Sequence, residues 1–375
     1  MNSRLRLLCL AVAALCVRLF AYAWIAIPFG GFVKAACVYD CVWYVRLGAE
    51  GYGSSGDWTP LGPVPNWAFF PLFPILIRLV MQFGASAQLA GLVVSNTLLL
   101  GFVMLGAEWL RRTRTPHSPA LWVLFVLLFP FGFIFSVPYT ESLFDVLMVA
   151  ALLAMADRRR LLAAVIIAAM CATRPNGVVM LPLLLLLNLR ELIAAWPITP
   201  SADRAALLGE ALLPLVIAPL GLSLFMAYQY WYIGDALAFN HVQLLWDRTW
   251  TGPLYQLSHA LHAWDWGRVL AIDGPASETY NAAWSLFGLA IALWLAWQRR
   301  FTEAYLLAIG ILLPLSTAIH SMPRFVATNP AFLFAMFDIA RKAKTPSAQI
   351  ALSGAFGLAQ SALMVGWYQS ANALF

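Results

Sequence analysis

The chain has 375 residues, of which 62% are apolar and 11% charged, against about 25% charged in an ordinary soluble domain. That composition excludes a soluble globular enzyme and describes a polytopic membrane protein. The net charge of +6 does not indicate a nucleic-acid partner, because the basic residues fall in short clusters between apolar runs, as in cytoplasmic loops.

Taken in chain order, the first apolar run, about Leu7 to Phe29, is long enough to cross a bilayer. It ends near Ala21-Tyr-Ala23, like a secretory leader, but Arg18 interrupts it and the hydrophobicity continues, so a retained helix with a cytoplasmic N-terminus is expected. Residues 30–67 then form a first extracytoplasmic loop. Within it, Val38 to Tyr52 reads as a surface helix, with Asp40, Trp43, Tyr44 and Leu47 on one face and Gly48 and Gly51 at its end. Cys37 and Cys41 could pair in an oxidising compartment, but at i and i+4 on one helix the geometry is poor. Cys9, Cys16 and Cys171 lie in apolar runs, where cysteine acts as a small hydrophobe.

Residues 68–83 carry two prolines and Arg78, so they read as a re-entrant or surface-lying segment. Further spans are expected near 88–110, 119–137, 142–156, 161–172, 178–196, 211–232, 283–298, 302–320, 325–340 and 348–367. With the first they make about eleven crossings of one integral membrane domain over 1–375. That count puts Arg111 to Arg114, Asp157 to Arg160, Arg190, Arg204, Arg299, Arg300 and Arg341 to Lys344 on the cytoplasmic side, as the positive-inside rule requires. Two crossings, 142–156 and 161–172, are short and should leave a recess under the outer surface. Residues 234–282 form a second extracytoplasmic loop, rich in tryptophan (Trp246, Trp250, Trp264, Trp266).

The chemistry-bearing residues fall on the outer face. Asp40 fits either a helix cap or a catalytic carboxylate. Glu141, within an apolar run, fits a cap or a functional acid, and Asp145 should face the bundle interior. Arg174 and Arg324 each stand beside a proline-fixed turn, and with His320 they could bind a phosphate or pyrophosphate; snorkelling, or pairing with Glu141 or Asp145, is the other use of such arginines. His241 and Gln243 suit sugar contact or plain solvation. His259, His262 and Asp265 read as a wet amphipathic helix rather than a metal site. No P-loop, dinucleotide motif, nucleophile elbow or cysteine-rich metal pattern is present. Donor chemistry would therefore use an activated group already in the membrane.

Several motifs occur together in order: Asp40-x-x-Trp43-Tyr44 leading to Gly51-Tyr52, Ala68-Phe-Phe-Pro-Leu-Phe-Pro74, Tyr139-Thr-Glu-Ser-Leu-Phe144, Thr173-Arg-Pro-Asn-Gly177 and Pro323-Arg-Phe325. Together they resemble the family of the second mannosyltransferase of GPI-anchor assembly, within the GT-C glycosyltransferases, as a shorter bacterial relative. Tyr39 stands where that pattern has Trp. The resemblance implies an all-α, GT-C-like enzyme of the bacterial inner membrane that moves a hexose, mannose first, from a polyprenyl-phosphate carrier to a lipid, glycan or protein acceptor, with inversion. A GPI acceptor is not carried over. Asp40 would be the general base, with the Arg174 region near the donor phosphate. Trp43, Tyr44, Tyr139, Glu141, Asn176, His241 and Gln243 are the candidate substrate contacts. No cofactor is expected, although a divalent metal stays open. A flippase for a lipid-linked saccharide is the alternative, which would place ionisable residues and broken helices near the midplane.

Overall fold

A computed structural model describes residues 3–53, 65–113, 118–268, 278–342 and 345–370. Among them the fold is helical throughout, without strands. Helix α1 (Ser3–Ile25) leads through a short turn to α2 (Phe32–Ala35), α3 (Asp40–Glu50) and α4 (Leu72–Met81). Next come α5 (Ala87–Thr113), α6 (Pro119–Leu128), α7 (Glu141–Ala156) and α8 (Arg160–Cys171). A 3-10 turn, Pro175–Met180, runs into α9 (Leu181–Ala195), followed by α10 (Arg204–Ile217) and α11 (Leu220–Ile233). Two short helices, α12 (Ala238–His241) and α13 (Pro253–His262), precede α14 (Glu278–Trp297) and α15 (Phe301–Leu315). The chain closes with α16 (Met322–Ala327), α17 (Pro330–Ala340) and α18 (Pro346–Tyr368).

Among the described residues, five helices are long and apolar enough to cross a membrane, or seven if each of two bent pairs is one span. These include α1, α5, α14 and α18; the bent pairs are α6 with the 3-10 segment Pro130–Ser136, at 84°, and the stretch Ser201–Ile217 with α11, at 52°. This is a helical membrane protein. The expected crossings at 161–172, 302–320 and 325–340 fall on α8, α15 and α17, which are shorter than a full span. Helix α4 has 10 residues, roughly 15 Å at 1.5 Å per residue, or about half a bilayer core. It lies along α3, where Arg78 Nε donates to the Gly48 carbonyl at 2.8 Å.

The break after α6 has a physical remedy inside the bundle. Phe129-Pro130 ends the helix and leaves carbonyls with no helical partner, which is costly away from water. Arg18, buried on α1, donates to Leu127 O at 3.2 Å and also to Gly132 O. Gln360 on α18 donates to Phe129 O. The arginine that interrupts the first apolar run thus closes the hydrogen bonding of a broken helix. One continuous apolar core runs from Ala11 on α1 to Tyr368 at the end of α18.

Candidate functional site

Helix α3 begins at Asp40 because three features converge there. Tyr39 takes a left-handed φ of 53°, the Tyr139 hydroxyl accepts from the Asp40 amide at 3.0 Å, and the same hydroxyl donates to Val38 O at 3.3 Å. Cys37 and Cys41 form a disulfide with Cα atoms 5.1 Å apart, contrary to the expectation from sequence. The reason is that Cys37 lies outside the helix, in the short connection between α2 and α3, so the two are not i and i+4 on one regular helix.

Arg174 is set by the end of α8. Thr173 Oγ1 donates to Ala169 O at 2.9 Å, and Pro175 prevents the helix from continuing. Gly177 must be glycine, since a Cβ there would lie 2.4 Å from the Cys171 nitrogen. Arg324 is set by α16, whose Met322 amide donates to Asn281 Oδ1 at 2.9 Å. These helix ends bring charges together that are far apart in sequence.

Arg324 Nη1 donates to Asp40 Oδ2 at 2.9 Å. Arg174 Nη2 donates to Glu141 Oε1 at 2.7 Å, and Arg324 Nε lies 3.5 Å from the same oxygen. Glu141 is 1% exposed, so it serves as a buried counter-ion behind both arginines. The Arg324 guanidinium also lies over the Tyr139 ring, 5.4 Å from its centroid. Asp40's carboxylate is therefore committed to an ion pair rather than to first-turn amides, and its side chain keeps 35% exposure.

In front of these charges is a cavity of about 420 Å³, lined by Asp40, Tyr44, Arg174, Asn176, Gln243, Arg248 and Arg324 together with aromatic rings that include Phe69, Trp246 and Trp250. Arg248 reaches it from the tryptophan-rich loop. That loop is pinned where the Thr251 and Gly252 amides both donate to Ser316 O at 3.0 Å. Burial, followed by the like charge of Arg324 and then of Arg174, lowers the Arg248 pKa from its ordinary value, against an opposing pull from Asp40. No ion pair holds the Arg248 side chain among the described residues. Arg174, Arg248 and Arg324 set against Asp40 and Glu141 leave a surplus cation at the cavity.

Of the expected site residues, Asp40, Tyr44, Arg174, Asn176, Gln243 and Arg324 line this cavity. The others stand off it. Trp43 stacks on Phe69 with centroids 5.9 Å apart, and Tyr139, 1% exposed, buttresses Asp40 from beneath. His241 pairs with Asp235 at 2.7 Å, and its hydrogen bond, with that from the Leu237 amide, lowers the Asp235 pKa despite burial. His320 is exposed beside the turn at Ser321 and does not join the guanidiniums. Asp145 is buried, as expected of an interior position. Arg248 is the residue that sequence reasoning missed; its one signal was a lone cation between Trp246 and Trp250. The expected loops are described only in part, since 54–64 and 269–277 lie outside the described residues.

No protein-family model matches this chain, and neither does any curated protein.

Proposed function

We propose that the chain is an inverting glycosyltransferase that moves a hexose, mannose first, from a polyprenyl-phosphate carrier to an acceptor hydroxyl at the extracytoplasmic face. The observation that carries this is one carboxylate, Asp40, opposite three arginines in a single cavity among membrane helices. In a GT-C-like bundle of about eleven crossings, α7, α8, α15 and α17 would be the short ones that make the recess. The motif resemblance and the Cys37–Cys41 disulfide, which suits an oxidising compartment, support the same placement.

A lipid-phosphate sugar carries a single negative charge on its phosphodiester, which matches the surplus cation. Asp40 Oδ2 faces Arg324, and Oδ1 is left for the acceptor hydroxyl. Asp40 takes the hydroxyl proton while the acceptor oxygen bonds to the anomeric carbon. The bond from that carbon to the phosphate oxygen breaks, and its electron pair leaves with the polyprenyl phosphate. The departing phosphate gains charge, which Arg174, Arg248 and Arg324 are placed to stabilise. A single in-line displacement inverts the anomeric centre.

The test is mass spectrometry of glycolipids and glycans in cells lacking the protein. One hexose should be missing, restored by the wild-type chain and not by Asp40→Asn produced at the same level. Full restoration by Asp40→Asn would remove Asp40 as base. In reconstituted vesicles, labelled carrier that crosses the bilayer with no new glycosidic bond would replace transfer with transport.

A further inference from the structure

A second and larger cavity, about 1140 Å³, opens at the far end of α7. Glu141 at the start of α7 belongs to the first site and Asp157, just past its end, lines the second, which separates them by roughly 24 Å along the helix. The mouth of this cavity carries Arg4, Arg6, Arg111, Arg112 and Arg159. Two acids face them. Glu108 is engaged by Arg111 at 2.6 Å and by Arg112 at 2.7 Å, and Asp157 by Arg112 at 2.6 Å. Arg6 and Arg159 are left without an ion pair among the described residues.

Below this cationic mouth the walls are hydrocarbon: Leu7 and Leu10 from α1, Leu105 from α5, Leu153 from α7, and Leu162 and Ile166 from α8. Leu162 is 46% exposed. A free phosphate would satisfy the mouth and leave the apolar walls with nothing. A zwitterionic lipid would fill the walls and bring no net charge to the arginines. We propose that this cavity binds one anionic phospholipid, its phosphate on Arg6 and Arg159 and an acyl chain along Leu162 and Ile166. The site depends only on the chain being a membrane protein, so it stands or falls separately from glycosyl transfer.

The test is native mass spectrometry of the purified, delipidated full chain titrated with either phosphatidylglycerol or phosphatidylcholine of equal chain length. Wild-type protein should retain one phosphatidylglycerol in preference to phosphatidylcholine. Arg6→Ala with Arg159→Ala should weaken phosphatidylglycerol retention by about 25-fold, the product of roughly 5-fold for each cation near a lipid phosphate. Arg6→Lys with Arg159→Lys, which keeps both charges, should retain the preference and controls for misfolding. Leu162→Trp should lower retention of the long-chain lipid while leaving dihexanoyl phosphatidylglycerol unaffected. Equal retention of the two lipids, an unchanged alanine double variant, or displacement of phosphatidylglycerol by millimolar inorganic phosphate would overturn the proposal.

Discussion

At the residue scale, the site is organised by how its charges are shared. Glu141 neutralises Arg174 and faces Arg324, and Asp40 pairs with Arg324, so Arg248 is the guanidinium that, on the proposed function, would meet the donor phosphate without first giving up a carboxylate. A hydrogen bond to a charged group is worth about 1.5–3 kcal/mol. On the proposed transfer reaction, Arg248→Ala should therefore raise the KM for the polyprenyl-phosphate donor roughly 10- to 100-fold, with kcat changed less, while Arg248→Lys keeps part of the affinity. An unchanged KM in a titration of released polyprenyl phosphate would exclude Arg248 as a donor contact. Asp40, Arg174 and Arg324 were legible in the sequence because charges in apolar surroundings need a reason to be there. Arg248 was not, because an arginine between two tryptophans has the pattern of an interfacial anchor.

At the element scale, Asp40 is held by the packing of α3 on α4 as much as by its own contacts. Gly48 is the close point: a Cβ there would stand 2.6 Å from Ile77 Cγ2 and 3.4 Å from Pro74 O. Ile77 is fully buried and cannot swing away. Gly48→Val should then cost about 1–3 kcal/mol through overpacking, read as a lower melting temperature in detergent. Adding Ile77→Ala should recover part of the loss, since residues in contact couple; additive losses would mean that the two helices separate freely. Periodicity found α3 and the shortness of α7 and α8, because both are local properties. The disulfide escaped it, since whether Cys37 is inside or outside the helix turns on Tyr139, 99 residues from the Asp40 amide it holds. The partner of Arg18 escaped it for the same reason, the carbonyls it serves lying 109 and 114 residues away.

At the scale of the whole molecule, the two ends of the bundle carry different charge. One end gathers Arg4, Arg6, Arg111, Arg112 and Arg159 around the larger cavity. Arg160, with Glu191 at 3.2 Å, lies at the same end of α8, opposite the Cys171 end that leads into Arg174. The other end holds the Asp40 cavity, the disulfide and the tryptophan-rich loop. Clusters of arginine resist translocation, so the first end should be cytoplasmic, and a disulfide persists on the oxidising side. Both rules give the same orientation from independent chemistry. Single cysteines can test it in a background where Cys9, Cys16 and Cys171 are serine and the disulfide is kept. Leu254→Cys, at a position 80% exposed on α13, should react with a membrane-impermeant maleimide in intact cells. Arg158→Cys, between α7 and α8, should react only after lysis. The opposite pattern would put the Asp40 cavity on the cytoplasmic side, where soluble nucleotide sugars are at hand, and would count against the proposed lipid-borne donor.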